Sequence, residues 1–184
     1  MKNINDVLKL NIDSFFKFVH KIDYGYMDAD GLIHRITPAD YYAKLNSSPY
    51  RFSSPKQVVE NNCGWCWDVA ELIRFYCEKN LLEYKCIFLE YLTNNFHKTH
   101  MQVFIKFNGK WCEAPDNTSP ITFGENGYDK FDSCINDFAN LFRAYLKHEL
   151  GDKYNEKFLL VKEITKPMIS GMTDEECLKI ARSN

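Results

Sequence analysis

Cys63-Gly64-Trp65-Cys66-Trp67-Asp68-Val69-Ala70-Glu71-Leu72 leads into the stretch whose pattern sets the architecture, residues 65–80. Its polar positions, Asp68, Glu71, Arg74 and Glu78, fall in one narrow helical stripe, and nearly everything else is apolar. That spacing predicts a long helix surrounded by protein on most sides. The next part of the chain reads as sheet. Residues 85–92, 99–107 and 110–114 have strand character, and Asn108-Gly109 between the last two is the strongest short hairpin signal available. A buried helix followed by antiparallel strands implies an α+β fold.

Outward from this core, Val7, Leu8, Ile12, Phe15, Phe16 and Val19 repeat at helical spacing and predict one helix over about residues 4–22. Tyr24-Gly-Tyr-Met27 and Leu32-Ile-His-Arg-Ile36 flank Asp28-Ala-Asp-Gly31, a hairpin around a turn. The Asp-x-Asp-Gly string resembles a calcium loop, but its first liganding position is Tyr26, so the turn is the better reading. Residues 38–62 are rich in Ser, Asn and Pro and suggest a wrapping segment with short helical pieces at 39–45 and 55–60. Beyond the hairpin, residues 131–149 have helical spacing and stop at Gly151, residues 157–164 suggest a strand, and Thr173 with Glu176 resembles a capping box. No internal repeat or dividing linker interrupts the 184 residues, which implies a single domain over 1–184.

Composition excludes several classes. With 45% hydrophobic residues and abundant Phe and Tyr, disorder is not expected. A net charge of −2 with both signs interspersed leaves no basic stripe, so nucleic acid is not the expected partner. No apolar stretch reaches membrane-spanning length, and the segment from Met1 to Lys9 lacks the pattern of a signal peptide. Seven cysteines without a secretory signal suggest a reduced, cytoplasmic setting in which most thiols are small buried hydrophobes.

Four readings compete for the cysteines of Cys63-Gly-Trp-Cys66. Burial is the plainest. A redox pair is disfavoured because the helix follows a loop rather than the first strand of a βαβ unit. A zinc site could combine Cys63 and Cys66 with His97 and His100, but about thirty residues with their own core separate the pairs, far more than in a zinc finger. The fourth reading is nucleophilic catalysis. Cys66 falls in the first turn of the expected helix, where free N–H groups and the helix dipole favour a thiolate and can hold an oxyanion. Gly64 allows a tight turn there and leaves space for substrate.

A base has to lie within reach. His100 begins the strand whose partner returns through Asn108-Gly109. Counting outward from Phe107 opposite Lys110 brings Met101 opposite Asp116 and His100 opposite Asn117. Strict register favours Asn117 as the residue that orients the imidazole. Pro115 cannot donate to the ladder, so the pairing is expected to break there and let Asp116 swing in. Glu113 lies opposite Phe104, roughly 13 Å along the strand, and is a weaker candidate. His97 falls in a polar loop and reads as solvated; His20, His34 and His148 have no visible link to the thiol.

Three strings together, Gly64-Trp-Cys66-Trp-Asp-Val-Ala-Glu-Leu72, Thr99-His100-Met-Gln-Val-Phe-Ile105 and Trp111-Cys-Glu-Ala-Pro-Asp116-Asn-Thr118, resemble the core motifs of the transglutaminase-like superfamily. The resemblance covers about residues 62–118. It implies a papain-like core, a central helix with its N-terminal Cys packed on an antiparallel sheet, and a catalytic triad of Cys66, His100 and Asp116. It also implies a cysteine protease or other amide hydrolase, or an acyltransferase, that forms a thioester on a peptide or protein substrate with a Gln or amide group and needs no metal or organic cofactor. The Cys-Gly-Trp-Cys-Trp string resembles the papain nucleophile too, but the histidine follows too soon for a papain chain order. Pro115 before Asp116 departs from the superfamily pattern and leaves the third member open between Asp116 and Asn117. A second oxyanion donor is sought upstream, at Gln57, Asn61 or Asn62. An inactive binding module of the same fold and a CxxC/HxxH zinc protein are the alternatives.

Overall fold

The computed structural model of the chain describes residues 3–36 and 48–183. Its centre is the helix expected from residues 65–80. After α1 (Ile4–Val7), α2 (Ile12–Val19), β1 (Asp23–Asp28), β2 (Ile33–Arg35), β3 (Tyr50–Arg51), α3 (Pro55–Asn61) and β4 (Cys63–Gly64) comes α4 (Cys66–Lys79). Trp67, Val69, Leu72, Ile73, Tyr76 and Cys77 are buried on it, and each large apolar side chain contributes about 1.5–3 kcal/mol through burial. The polar stripe is not solvated as a stripe usually is. Asp68, Glu71 and Arg74 are also buried, so protein covers this helix on that side too.

The helix packs on a four-stranded antiparallel sheet in the order β7-β6-β5-β8, with β5 (Tyr84–Leu92), β6 (His97–Phe107), β7 (Lys110–Glu113) and β8 (Leu159–Ile164). Asn108 and Gly109 both take positive φ, 51° and 80°, as the two central residues of a tight hairpin turn require. The register begins at Phe107 opposite Lys110 and runs to Phe104 opposite Glu113, matching the sequence count that far. Side chains alternate across the sheet. Cys86, Phe88, Met101, Val103 and Ile105 join α4 in one core. Ile87, Leu89 and Phe104 face the other way, against Cys134, Phe138, Phe142 and Leu146 of α5 (Phe131–Leu150). A last helix, α6 (Asp174–Ser183), adds Cys177, Leu178 and Ala181 to the α4 side. It starts at the expected box, with the Thr173 N–H donating to Glu176 and the Glu176 N–H to Thr173 Oγ1.

A second, small sheet holds the start of α4. β1 pairs antiparallel with β2 and β3, and parallel with β4. In the β1–β2 turn one oxygen of Asp28 accepts the Asp30 and Leu32 amides, and the other is 2.6 Å from His34 Nε2. Both oxygens are thus used within the turn, as the turn reading requires.

Two expectations need adjusting, and a third falls partly outside the described residues. The N-terminal helix is two helices, because Asn11 caps a new start by accepting the Ser14 amide, while Tyr76 Oη and Asn80 Nδ2 take the Leu10 and Leu8 carbonyls. His97 is the first residue of β6 and not a loop residue; it lies 2.7 Å from Glu90, which Arg182 also grips. The helical piece expected at 39–45 lies outside the described residues, whereas that at 55–60 is α3, with Ser54 and Gln57 as its capping box.

Gly25 gives this frame a sharp test. A Cβ there would lie 2.2 Å from the His34 carbonyl and 2.7 Å from Cys63 Sγ. We expect Gly25→Ala to destabilise by about 2 kcal/mol or more in urea unfolding, by overpacking backbone against backbone. Gly31→Ala, at φ +80° with nothing near, should cost only on the order of 1 kcal/mol.

Candidate active site

Cys66 is the first residue of α4, and the chain reaches it along a fixed path. Cys63 and Gly64 pair with Asp23 and Tyr24. Trp65 comes next in an extended conformation, its N–H donating to Asp68 Oδ2. Asp68 Oδ1 also accepts the Tyr50 hydroxyl and the Ser53 amide, both at 2.8 Å. A buried carboxylate thus ties the helix start to β3 and the segment after it. Gly64 is packed on by Asp68, Val58 and Val69, so the space it leaves is filled by core and not by substrate. Of the seven cysteines, six are buried and Cys66 alone is partly open.

The body of α4 lies on one face of the large sheet, yet His100 belongs to the other. It shares that face with Gln102 and Phe104, and its ring lies 5.7 Å from that of Phe138 on α5. The thiol approaches from the strand edge. Ala114 still donates to the Val103 carbonyl at 2.9 Å, but the next amide on that side, that of Asp116, donates to Ser119 Oγ instead, and the pairing ends. The backbone of Met101, two residues before Val103, points to the same side, and its N–H lies near enough to the Cys66 sulfur to pull the thiol pKa down.

Beyond Pro115 the chain folds back on itself. Asp116 Oδ1 accepts the Thr118 amide, the Thr118 hydroxyl and the Ser119 amide, and the Asp116 N–H donates to Ser119 Oγ. Its buried carboxylate is close enough to raise the pKa of both His100 and Cys66. Asn117 is engaged elsewhere: Nδ2 donates to the Gly64 carbonyl at 2.9 Å, stapling this loop to β4. The ladder does not continue to a His100–Asn117 pair, and of the two candidates it is Asp116 whose charge reaches the imidazole.

Electrostatics differ from the expected thiolate. Desolvation pushes the Cys66 thiol up to about 12, outweighing the Met101 N–H and Lys98, which pull it down; Asp116 and Asp68 push it further up. Desolvation also lowers the His100 pKa against the raising effects of Asp116 and Gln102. Both groups are therefore neutral at rest. Among the described residues no hydrogen bond joins the Cys66 thiol to the His100 ring.

The other expected residues are placed elsewhere. Gln57 Oε1 accepts from Ser54 and Ser170 while its Nε2 donates to Met27 Sδ at 3.8 Å, Asn62 Nδ2 donates to the Lys21 carbonyl, and the Asn61 backbone carbonyl accepts from Arg35, so the carboxamide nitrogens of Gln57 and Asn62 already have acceptors. Cys63 packs under Gly25 and His97 sits with Glu90, so the four residues of the zinc reading do not converge. Among the described residues no group of three or more His, Cys, Asp or Glu is arranged to hold a metal. A cavity of about 340 Å³ opens beside Asp116, between Glu113, Pro115, Ser119, Pro120, Glu125 and Tyr128. Glu113, though solvent-exposed, is pushed up to about 7 by this enclosure and by Asp116. Gln102, overlooked in the sequence, is buried beside His100; its position two residues on, on the same strand face, was the available signal.

Fold and site define an α+β protein with antiparallel sheets and a partly exposed thiol at a helix start. The chain matches no protein-family model and no curated protein. No described helix is long and apolar enough to cross a membrane.

Burial raises Asp68 and Glu71 to about 7. A carboxyl whose folded pKa exceeds its unfolded value gives stability that is present at low pH and lost as pH rises through the folded value. His100, with a lowered pKa, acts oppositely below about 6.5. Two carboxyls outweigh one imidazole, so the melting temperature should rise from pH 8 to pH 6, and Asp68→Asn should flatten that slope. A melting temperature that falls over this interval contradicts the assignment.

Proposed function

We propose that this chain is a cysteine-nucleophile amide hydrolase or acyltransferase of the transglutaminase-like type, with a papain-like core, acting on a peptide or protein substrate that presents a Gln side chain or another amide. The observation that carries this reading is that the one partly open thiol starts a buried helix and shares the field of Asp116 with His100. Cys, His and Asp also follow one another in the superfamily's order, with Cys66 at a helix start, His100 within β6 and Asp116 in the turn just past β7.

A neutral resting pair makes His100 a general base at the moment of attack. Its free nitrogen takes the thiol proton as sulfur bonds to the amide carbon. The Cys66 N–H, unpaired within the first turn, stabilises the oxyanion. His100 then protonates the departing amine as the C–N bond breaks, which leaves a thioester and a neutral imidazole. Asp116 stabilises the imidazolium that exists between these two proton transfers. Water or a second amine, deprotonated by His100, attacks the thioester and returns the thiol. Hydrolysis is the default outcome, because water needs no second binding site. An inactive binding module of the same fold is the second reading, favoured by the absence of a thiol–imidazole hydrogen bond.

Labelling with iodoacetamide separates the two. Access alone makes Cys66 the first cysteine to react, so selectivity is not diagnostic. Dependence on His100 is. General-base assistance is worth about a hundredfold or more, so His100→Ala should slow alkylation of Cys66 at pH 7 by at least about tenfold, read by peptide mass spectrometry. An unchanged rate removes His100 from the mechanism and favours the binding module.

A further inference from the structure

The His100 ring is flanked on its own strand face by a side chain that the superfamily resemblance does not assign. Gln102 is buried at 3% exposure. Its amide nitrogen donates to the Ala114 carbonyl at 2.5 Å and to the Val103 carbonyl at 3.2 Å. These two acceptors use both N–H groups and fix which way the carboxamide faces. The oxygen is left over, and its neighbour along that face is His100. Phe138, which touches both His100 and Phe104, closes the same strip from the side of α5 with an uncharged ring.

We propose that Gln102 is a positioning residue: its nitrogen grips the last carbonyl before Pro115, and its oxygen accepts the ring N–H of His100. This rests on the reading of His100 as the general base. An acceptor on one ring nitrogen fixes the tautomer and leaves the other nitrogen with the lone pair that a base needs. It also ties the orientation of the imidazole to the point where β7 stops and the Asp116 turn begins. Asp116 then supplies field, while Gln102 supplies direction. The raising effect of Gln102 on the His100 pKa agrees with an acceptor. The charged groups acting on the ring are Asp116 from the loop and Lys98 from its own strand, with the neutral Cys66 of α4 beyond the edge. Leu89, opposite on β5, is apolar.

Two variants separate orientation from bracing. Gln102→Leu loses acceptor and donor; Gln102→Glu keeps an acceptor but loses the donor to Ala114 and Val103. NMR titration of His100, assigned with His100→Ala, should move to lower pH in Gln102→Leu and to higher pH in Gln102→Glu. Cys66 alkylation should slow about tenfold in the Leu variant, the worth of one hydrogen bond, and recover in the Glu variant. A purely structural brace would be lost equally in both; equal shifts, or none, overturn the proposal. If His100→Ala leaves alkylation unchanged while the titration still follows residue 102, the catalytic reading fails and the positioning contact stands.

Discussion

The pairing of β6 with β7 stops before Met101, and the rest of the site depends on that stop: the Asp116 N–H, next in line to face β6 after Ala114, donates to Ser119 Oγ instead. Because β7 ends there, Met101 has no strand partner on that side, and the first residue of α4 can bring its sulfur to the vacated amide. The same ending lets the chain turn at Asp116 and carry a buried carboxylate back toward the imidazole. Continued pairing would close the edge against Cys66 and hold Asp116 opposite Met101, on the face away from His100. The early end of the pairing leaves this edge open, with the Cys66 sulfur near it from the α4 side and His100 on the opposite face.

Burial then decides the charge state. A helix N-terminus stabilises a thiolate by a modest amount, and partial desolvation of a sulfur next to two carboxylates opposes it more strongly. What results is a neutral thiol and a neutral imidazole, each within the influence of the buried Asp116. The same balance explains the buried stripe of Asp68, Glu71 and Arg74, where a helix that must be covered on every side keeps its charges by pairing them or by protonation.

Elements with local signals were legible in the sequence. The periodicity of α4, the Asn108-Gly109 turn with its first four paired positions, the Thr173–Glu176 box and the position of Cys66 at a helix start all depend on neighbours a few residues apart. What escaped depends on distant chain. The break between α1 and α2 is set by Tyr76 and Asn80 taking carbonyls at Leu10 and Leu8. His97 looked solvated because its partner Glu90 comes from another strand and Arg182 from the last helix. Asn117 does not reach the place opposite His100 because its carboxamide is taken by a carbonyl of Gly64, more than fifty residues away. The thiol's charge state could not be read at all, because it depends on how much water the folded edge excludes.

The central claim is that Cys66 is a nucleophile that takes an acyl group. The most direct measurement is reaction with p-nitrophenyl acetate, with nitrophenolate release monitored together with intact and peptide mass. A nucleophilic Cys66 gives a burst of one equivalent per chain and an acetyl group on Cys66, both lost in Cys66→Ala. No burst, or acetylation spread over other cysteines and lysines with Cys66 spared, would contradict it.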